Sequence, residues 1–95
     1  MNQHTHFIAG DWHTGLGHNI QSIDPAKKNI IWQAKSASQE QVNLAVSAAR
    51  LASDAWSNLT FDARLAYVKK FAALLGQNKQ SLALTIARET GKPLW

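Results

Sequence analysis

Two periodicities divide the chain. Up to residue 37 the apolar positions come in short bursts separated by turn residues, and from Ser38 onward they recur at three- and four-residue spacing. The first burst, Phe7-Ile8-Ala9-Gly10-Asp11-Trp12, is an apolar stretch, a Gly-Asp turn signal and an aromatic. It predicts a tight hairpin in which Gly10, lacking a Cβ, takes a positive φ. Gly15 and Gly17 are then expected to loosen the chain. Ile20-Gln21-Ser22-Ile23 alternates as a half-buried strand does. Asp24-Pro25-Ala26-Lys27-Lys28-Asn29 is a turn, because Pro25 biases Asp24 away from helix. Ile30-Ile31-Trp32-Gln33-Ala34 has strand character. Residues 1–37 therefore read as an arm of two small hairpins.

The helical part opens on a capping box, Ser38 with Gln41 three residues on. Val42, Ala45, Val46, Ala49 and Ala52 follow on one face of a helix expected over Gln39–Ala55, with Trp56 closing its apolar end. Thr60 is the next N-cap and Asp62 suits the positive end of the dipole. Leu65, Val68, Ala72 and Leu75, widened by Phe71 and Leu74, form the core stripe of a second helix, which Gly76 should end in the left-handed conformation. Asn78 should cap a third helix with Leu82, Ala83, Ile86 and Ala87 facing inward. Gly91 sits at its C′ position and Pro93 follows as the stop.

The expectation is thus an α+β segment, two N-terminal β-hairpins followed by three α-helices, with residues 38–95 as the helical part. Two exposed hairpins and three helices have little opposing surface for Trp12, Trp32, Trp56 and Trp95, so the pattern reads as one layer of something larger. The 95 residues suffice for one small domain, and an apolar content of 45% is in the globular range. Cysteine is absent, which excludes a disulfide framework, a thiolate metal site and a cysteine nucleophile within these residues. No apolar run approaches the roughly 20 residues of a membrane span, and Met1 to His6 has no basic region leading into an apolar core. A cytoplasmic protein without membrane attachment is the default expectation. The net charge of +4 is scattered: Lys27-Lys28 and Lys69-Lys70 are the only adjacent basic pairs, so no nucleic-acid partner is expected.

Candidate chemistry is sparse. His4 and His6 would share a face of a strand, but no third ligand is evident at hairpin or helical spacing, and the pair reads as tail residues. Arg64, Arg88 and Glu89 lie on helices, where such groups are more often solvated than catalytic. Gly15-Leu16-Gly17 is not a phosphate loop, because the further glycine is missing and no helix starts after it. No nucleophile, base and orienter can be assembled. On the residues alone, a free-standing interaction module binding a protein or nucleic-acid partner remains the alternative to an enzyme segment.

Several of these stretches, in this order, resemble the N-terminal region of the aldehyde dehydrogenase superfamily. Phe7 to Trp12 is similar to the opening F-I-x-G-x-W, and Ser22-Ile23-Asp24-Pro25 to x-x-[ND]-P. Arg64 to Leu75 is similar to R-x-x-x-[LV]-x-x-x-A-x-L-L, and Glu89-Thr90-Gly91-Lys92-Pro93 to E-x-G-K-P. Trp32-Gln33, the short leader and the ending through Leu94-Trp95 look like a branch of the family that oxidises a semialdehyde. The resemblance implies an opening part of the NAD-binding domain, about the first fifth of a subunit. It also implies NAD as cofactor, a small-molecule aldehyde substrate and a homo-oligomer when full length. The catalytic cysteine, the water-activating glutamate and the nucleotide loop of that family match no position here, so no catalytic and no cofactor-binding residue is carried over. Some members hold a monovalent cation on the carbonyls of the two residues before [ND]-P and on the acid of [DE]-x-G-K. By motif, those positions are Ser22, Ile23 and Glu89.

Overall fold

The computed structural model describes residues 4–94. Trp95 and the first three leader residues lie outside this range. Seven elements follow one another: β1 (His6–Ile8), β2 (Asp11–His13), β3 (Asn19–Ile23), β4 (Ile30–Lys35), α1 (Gln39–Ser57), α2 (Phe61–Gln77) and α3 (Lys79–Thr90). The strands form two separate two-stranded antiparallel sheets, β1–β2 and β3–β4.

The first hairpin closes through Ala9 and Gly10, at φ 54° and 87°. Positive φ at both central residues is the turn whose twist suits a two-residue hairpin, and Gly10 takes its share at no steric cost. Phe7 pairs with Trp12, and their rings meet at 5.2 Å. In the second hairpin Asp24 organises the turn: its Oδ1 accepts from the N–H groups of Ala26 and Lys27, while its own N–H donates to the Asn29 carbonyl at 2.9 Å. Lys28 takes φ 65°, a left-handed residue that the dipeptide signals do not announce. Register then slips, since Ser22 faces Trp32 but Ile23 faces Ile30, which leaves Ile31 as the extra residue of a bulge.

The capping box at α1 forms on both sides. Ser38 Oγ accepts from Gln41 N–H at 3.2 Å, and Gln41 Oε1 accepts from Ser38 N–H at 3.0 Å. The α1–α2 corner is held by Thr60, whose Oγ1 accepts from Ala63 N–H, by a Trp56–Tyr67 ring contact at 5.6 Å, and by Arg64. Arg64 Nη1 donates to the Ser57 carbonyl at 3.1 Å, placing a cation at the negative end of a helix that has no basic residue in its own last turn.

Three expectations are corrected. Gly76 does not end α2: the helix continues through Gln77 without a left-handed residue. The cause is Asn78, which closes α2 and opens α3 with no linker between them, so no αL residue can be fitted. Asn78 does stand at the N-cap of α3, but its side chain looks back and donates to the Leu74 carbonyl at 2.9 Å instead of capping α3. Gly15 and Gly17 do not loosen the chain; they press it onto the end of β4, as described below.

The apolar stripes form as helix faces, yet they remain uncovered. The alanine side of α1 (Ala45, Ala48, Ala49, Ala52) faces Phe7, Ile8 and Ala9 of the first hairpin. Val42, Val46, Val68, Phe71, Leu75, Leu82 and Ile86 are all exposed, and Leu51 is 84% exposed. Among the described residues only Ile8 and Ala34 are buried hydrophobics. The Cα radius of gyration is 17.0 Å, against about 12 Å for a compact domain of this length. The extents of 48 × 35 × 16 Å are those of a slab one to two elements thick. In isolation the chain is therefore expected to keep helical circular dichroism, bind a hydrophobic dye and self-associate. A sharp two-state melt of a monomer with blue-shifted tryptophan emission would contradict this.

Candidate functional site

Besides the α1–α2 corner and the alanine side of α1, two junctions on the slab gather polar or glycine-dependent contacts from different elements. The first lies where the end of α3 meets the second hairpin. Gly91 takes φ 73° and ψ 10°, and its N–H donates to the Ala87 carbonyl at 2.9 Å, the left-handed helix stop expected there. A Cβ built on Gly91 would stand 3.3 Å from Pro25 Cγ, so the stop packs directly on the hairpin turn. Beside it, a cleft of about 390 Å³ is lined by Ile31 and Trp32 of β4 and by Thr85, Arg88 and Glu89 of α3. Glu89 thus stands against β4. Ser22 and Ile23 lie on the neighbouring strand β3, opposite Trp32 and Ile30, and are not among the cleft walls.

Asp24 is held below its ordinary carboxylate range, chiefly by the N–H of Lys27, then by that of Ala26, with the charges of Lys27 and Arg88 adding to them. A depressed carboxylate stabilises the fold above its unfolded pKa, and the contribution disappears as pH falls through the lowered value. Arg88 consequently faces an acid on the hairpin as well as its neighbour Glu89. Replacing Gly91 by alanine is expected to cost about 1 kcal/mol through the left-handed backbone, with the Pro25 contact adding to it. A denaturant midpoint indistinguishable from the parent would refute this.

The second place is the junction of both hairpins with α1. Gln41 is 8% exposed. Its Nε2 donates to the Thr14 carbonyl at 2.8 Å, while its Oε1 accepts from Leu16 N–H at 2.9 Å as well as from Ser38. One amide side chain therefore fastens the linker between the hairpins to the start of α1. Gly15 sits between those contacts, where an added Cβ would overlap the Lys35 carbonyl oxygen. The Gly17 N–H donates to the Ser36 carbonyl at 2.7 Å, and the Ser36 N–H donates to the His18 carbonyl at 2.7 Å. The glycines allow this close approach. The Leu16 and Gly17 N–H groups are thus taken up by Gln41 and Ser36, and no helix starts directly after them.

The histidines are also rearranged relative to expectation. The Ala9-Gly10 turn sets His13 directly opposite His6, so a further imidazole does exist at hairpin spacing. The signal was in the sequence: a two-residue turn at 9–10 pairs Ile8 with Asp11, Phe7 with Trp12 and His6 with His13. His4 precedes the strand. Among the described residues no three His, Asp or Glu side chains gather around a position for one metal ion.

Two antiparallel hairpins leading into three helices, with α3 turned back onto the second hairpin, are the N-terminal part of an aldehyde dehydrogenase fold. The NAD-dependent benzaldehyde dehydrogenase of Corynebacterium glutamicum matches with a TM-score of 0.90 and 25% identity, over 99% of this chain and 21% of its own. A double mutant of the betaine aldehyde dehydrogenase of Staphylococcus aureus, in complex with NAD+, matches with a TM-score of 0.85 and 26% identity, over 93% of this chain and 18% of its own. A point mutant of the same enzyme, also with NAD+, gives 0.88 and 25%, over 99% and 20%. The sequence model of the aldehyde dehydrogenase family matches residues 12–95, and the chain belongs to that family. It spans about a fifth of the length of the solved structures it matches.

Proposed function

We propose that the chain is the scaffold-bearing opening of an NAD-dependent aldehyde dehydrogenase that oxidises N-succinylglutamate 5-semialdehyde, a step of arginine catabolism, to the carboxylate. The observation that carries the reading is the family match over residues 12–95. The NAD-dependent benzaldehyde dehydrogenase and the betaine aldehyde dehydrogenase in complex with NAD+ support the cofactor. The semialdehyde rests on Trp32-Gln33 and on the ending Glu89 to Trp95. In this reading residues 1–37 are a hairpin arm and 38–95 a helical segment that the remainder of a cytoplasmic, homo-oligomeric subunit covers. The uncovered stripes of α1, α2 and α3 support that arrangement. A free-standing interaction module would need a closed core, and the described residues bury only Ile8, Ala34, Gly15 and Gln41.

The chemistry requires a thiolate that adds to the aldehyde, a hydride acceptor, and a carboxylate that activates water for thioester hydrolysis. NAD supplies the hydride acceptor. This chain's own residues do none of these steps: there is no cysteine, and the glycine pair is committed to β4. Purified residues 1–95 with NAD and an aldehyde should therefore form no NADH above background, and enzyme-dependent turnover would refute this account. The substrate is tested with the whole subunit. Its kcat/KM for N-succinylglutamate 5-semialdehyde should exceed those for benzaldehyde and betaine aldehyde, and the reverse order would reject the semialdehyde.

The same proposal includes a monovalent cation on the Ser22 and Ile23 carbonyls and the Glu89 carboxylate. Support comes from the packing of Gly91 on Pro25 and from the bulge, which interrupts regular pairing at Ser22–Ile23. Glu89 also lies in the last turn of α3, where the helix dipole disfavours an uncompensated carboxylate by roughly 0.3–1 kcal/mol. Hard cations take oxygen ligands of this kind. In crystals of the full subunit, rubidium should give an anomalous peak at these carbonyls, and Glu89→Gln should remove potassium-dependent stability. A Glu89 carboxylate screened by Arg88 alone would show neither.

A further inference from the structure

We propose that the N-terminal hairpin carries a two-histidine site for a divalent transition-metal ion of the zinc class, held by His6 and His13. The two residues are direct partners across β1 and β2. Side chains opposite each other in an antiparallel pair leave the same face of the sheet, with Cα atoms about 4.5–5.5 Å apart. Two imidazoles so placed can meet on one ion at the usual zinc–nitrogen length of about 2.0–2.1 Å.

The turn fixes the pairing: with Ala9 and Gly10 both left-handed, a slip in register would have to rebuild it. The neighbouring Phe7–Trp12 ring contact and the buried Ile8 hold the same register from both faces. His6 and His13 are half-buried, so their rings are steadier than those of a tail yet open to solvent. Thr5 Oγ1 lies 2.9 Å from His6 Nδ1, the kind of bond that fixes which ring nitrogen is left to ligate. Imidazole donors favour zinc, nickel and copper over the hard cations that suit carbonyl oxygens, so this site differs in ligand chemistry from the one at Glu89. With two protein ligands, water completes the coordination shell, and the ion is exchangeable rather than structural.

The test is calorimetric titration of the full chain with zinc chloride. One ion per chain is expected. His6→Gln and His13→Gln should each weaken binding by about tenfold or more, at least the loss seen when an outer-shell partner is removed. His18, whose Nδ1 lies 3.3 Å from Ser36 Oγ, is the control, and His18→Gln should bind like the parent. Gly10→Val forces a branched side chain into φ 87° and should abolish binding by breaking the turn. Should a glutamine variant lose its helical circular dichroism, the asparagine variant at that position replaces it. Unchanged affinity in either His6→Gln or His13→Gln, loss in His18→Gln, or binding that survives Gly10→Val would overturn the proposal, the last by showing that capture does not depend on the hairpin pairing.

Discussion

Gly15→Ala is expected to free the first hairpin from the second and from the start of α1, at a cost of about 3 kcal/mol. The added methyl would occupy the place of the Lys35 carbonyl oxygen and crowd the Ser36 carbonyl as well. Both are backbone atoms at the end of β4, so neither can rotate away as a side chain would. To make room, the 14–17 linker must lift, and lifting it breaks the Gly17–Ser36 and Ser36–His18 backbone bonds together with the Leu16–Gln41 bond. The effect should be local. Amide exchange of β1 to β4 should accelerate by orders of magnitude while that of α2 and α3 stays near the parent, since neither helix touches the linker through these bonds. Gly76→Ala is the contrasting control: a Cβ added there would meet nothing within 4 Å, and alanine is the better helix former by about 1 kcal/mol. If Gly15→Ala exchanges like the parent, the close approach at β4 is not what holds the two hairpins together.

The difference between these glycines shows what the sequence could and could not disclose. Local signals were legible: the positive φ of Gly10, the Ser38–Gln41 box, the Thr60 cap and the left-handed Gly91 all formed where the residue pattern places them, although the first turn centres on Ala9-Gly10 and not on the Gly10-Asp11 pair, since Asp11 already belongs to β2. Each depends on atoms within a few residues, and a linear pattern carries that information. Gly15 and Gly17 were misread because their role lies in a backbone about 20 residues further on, and close approach leaves no periodic trace. Gly76 was misread for the opposite reason. It has the composition of a helix stop, but Asn78 joins α2 to α3 directly and the stop is not needed. The half-buried alternation read in Ile20 to Ile23 gave a strand, yet Ile20 and Ile23 are 39% and 43% exposed. Their pattern encodes a face and does not say whether anything covers it. The same holds for the candidate cation site. Motifs name Ser22, Ile23 and Glu89, but only folding shows that α3 returns to the second hairpin through Gly91 and Pro25.

Gln41→Leu is expected to be the second large effect, and it separates two jobs done by one residue. Sequence assigns Gln41 to the capping box, a local role worth about 1 kcal/mol. In the structure its amide also reaches 25 and 27 positions back, to Leu16 and Thr14. Leucine is similar in size and a good helix former, so α1 should persist, and Ser38 Oγ keeps its bond from the residue-41 N–H. What is lost is a partner for three backbone groups: the Leu16 and Ser38 N–H and the Thr14 carbonyl. A buried polar group left without a partner costs about 1–3 kcal/mol, and these are part-buried, so the expected total is about 2–4 kcal/mol. Gln41→Glu tests the geometry differently. A carboxylate can still accept from Leu16 and Ser38, and it suits the N-terminal end of the helix dipole, but it cannot donate to Thr14. The glutamate variant should therefore fall between the parent and the leucine variant in thermal stability. Its faster exchange should be confined to the linker around residue 14. Equal loss in both variants would mean that the donation to Thr14 dominates, whereas no loss in the leucine variant would show that water replaces the amide and that Gln41 serves only the cap.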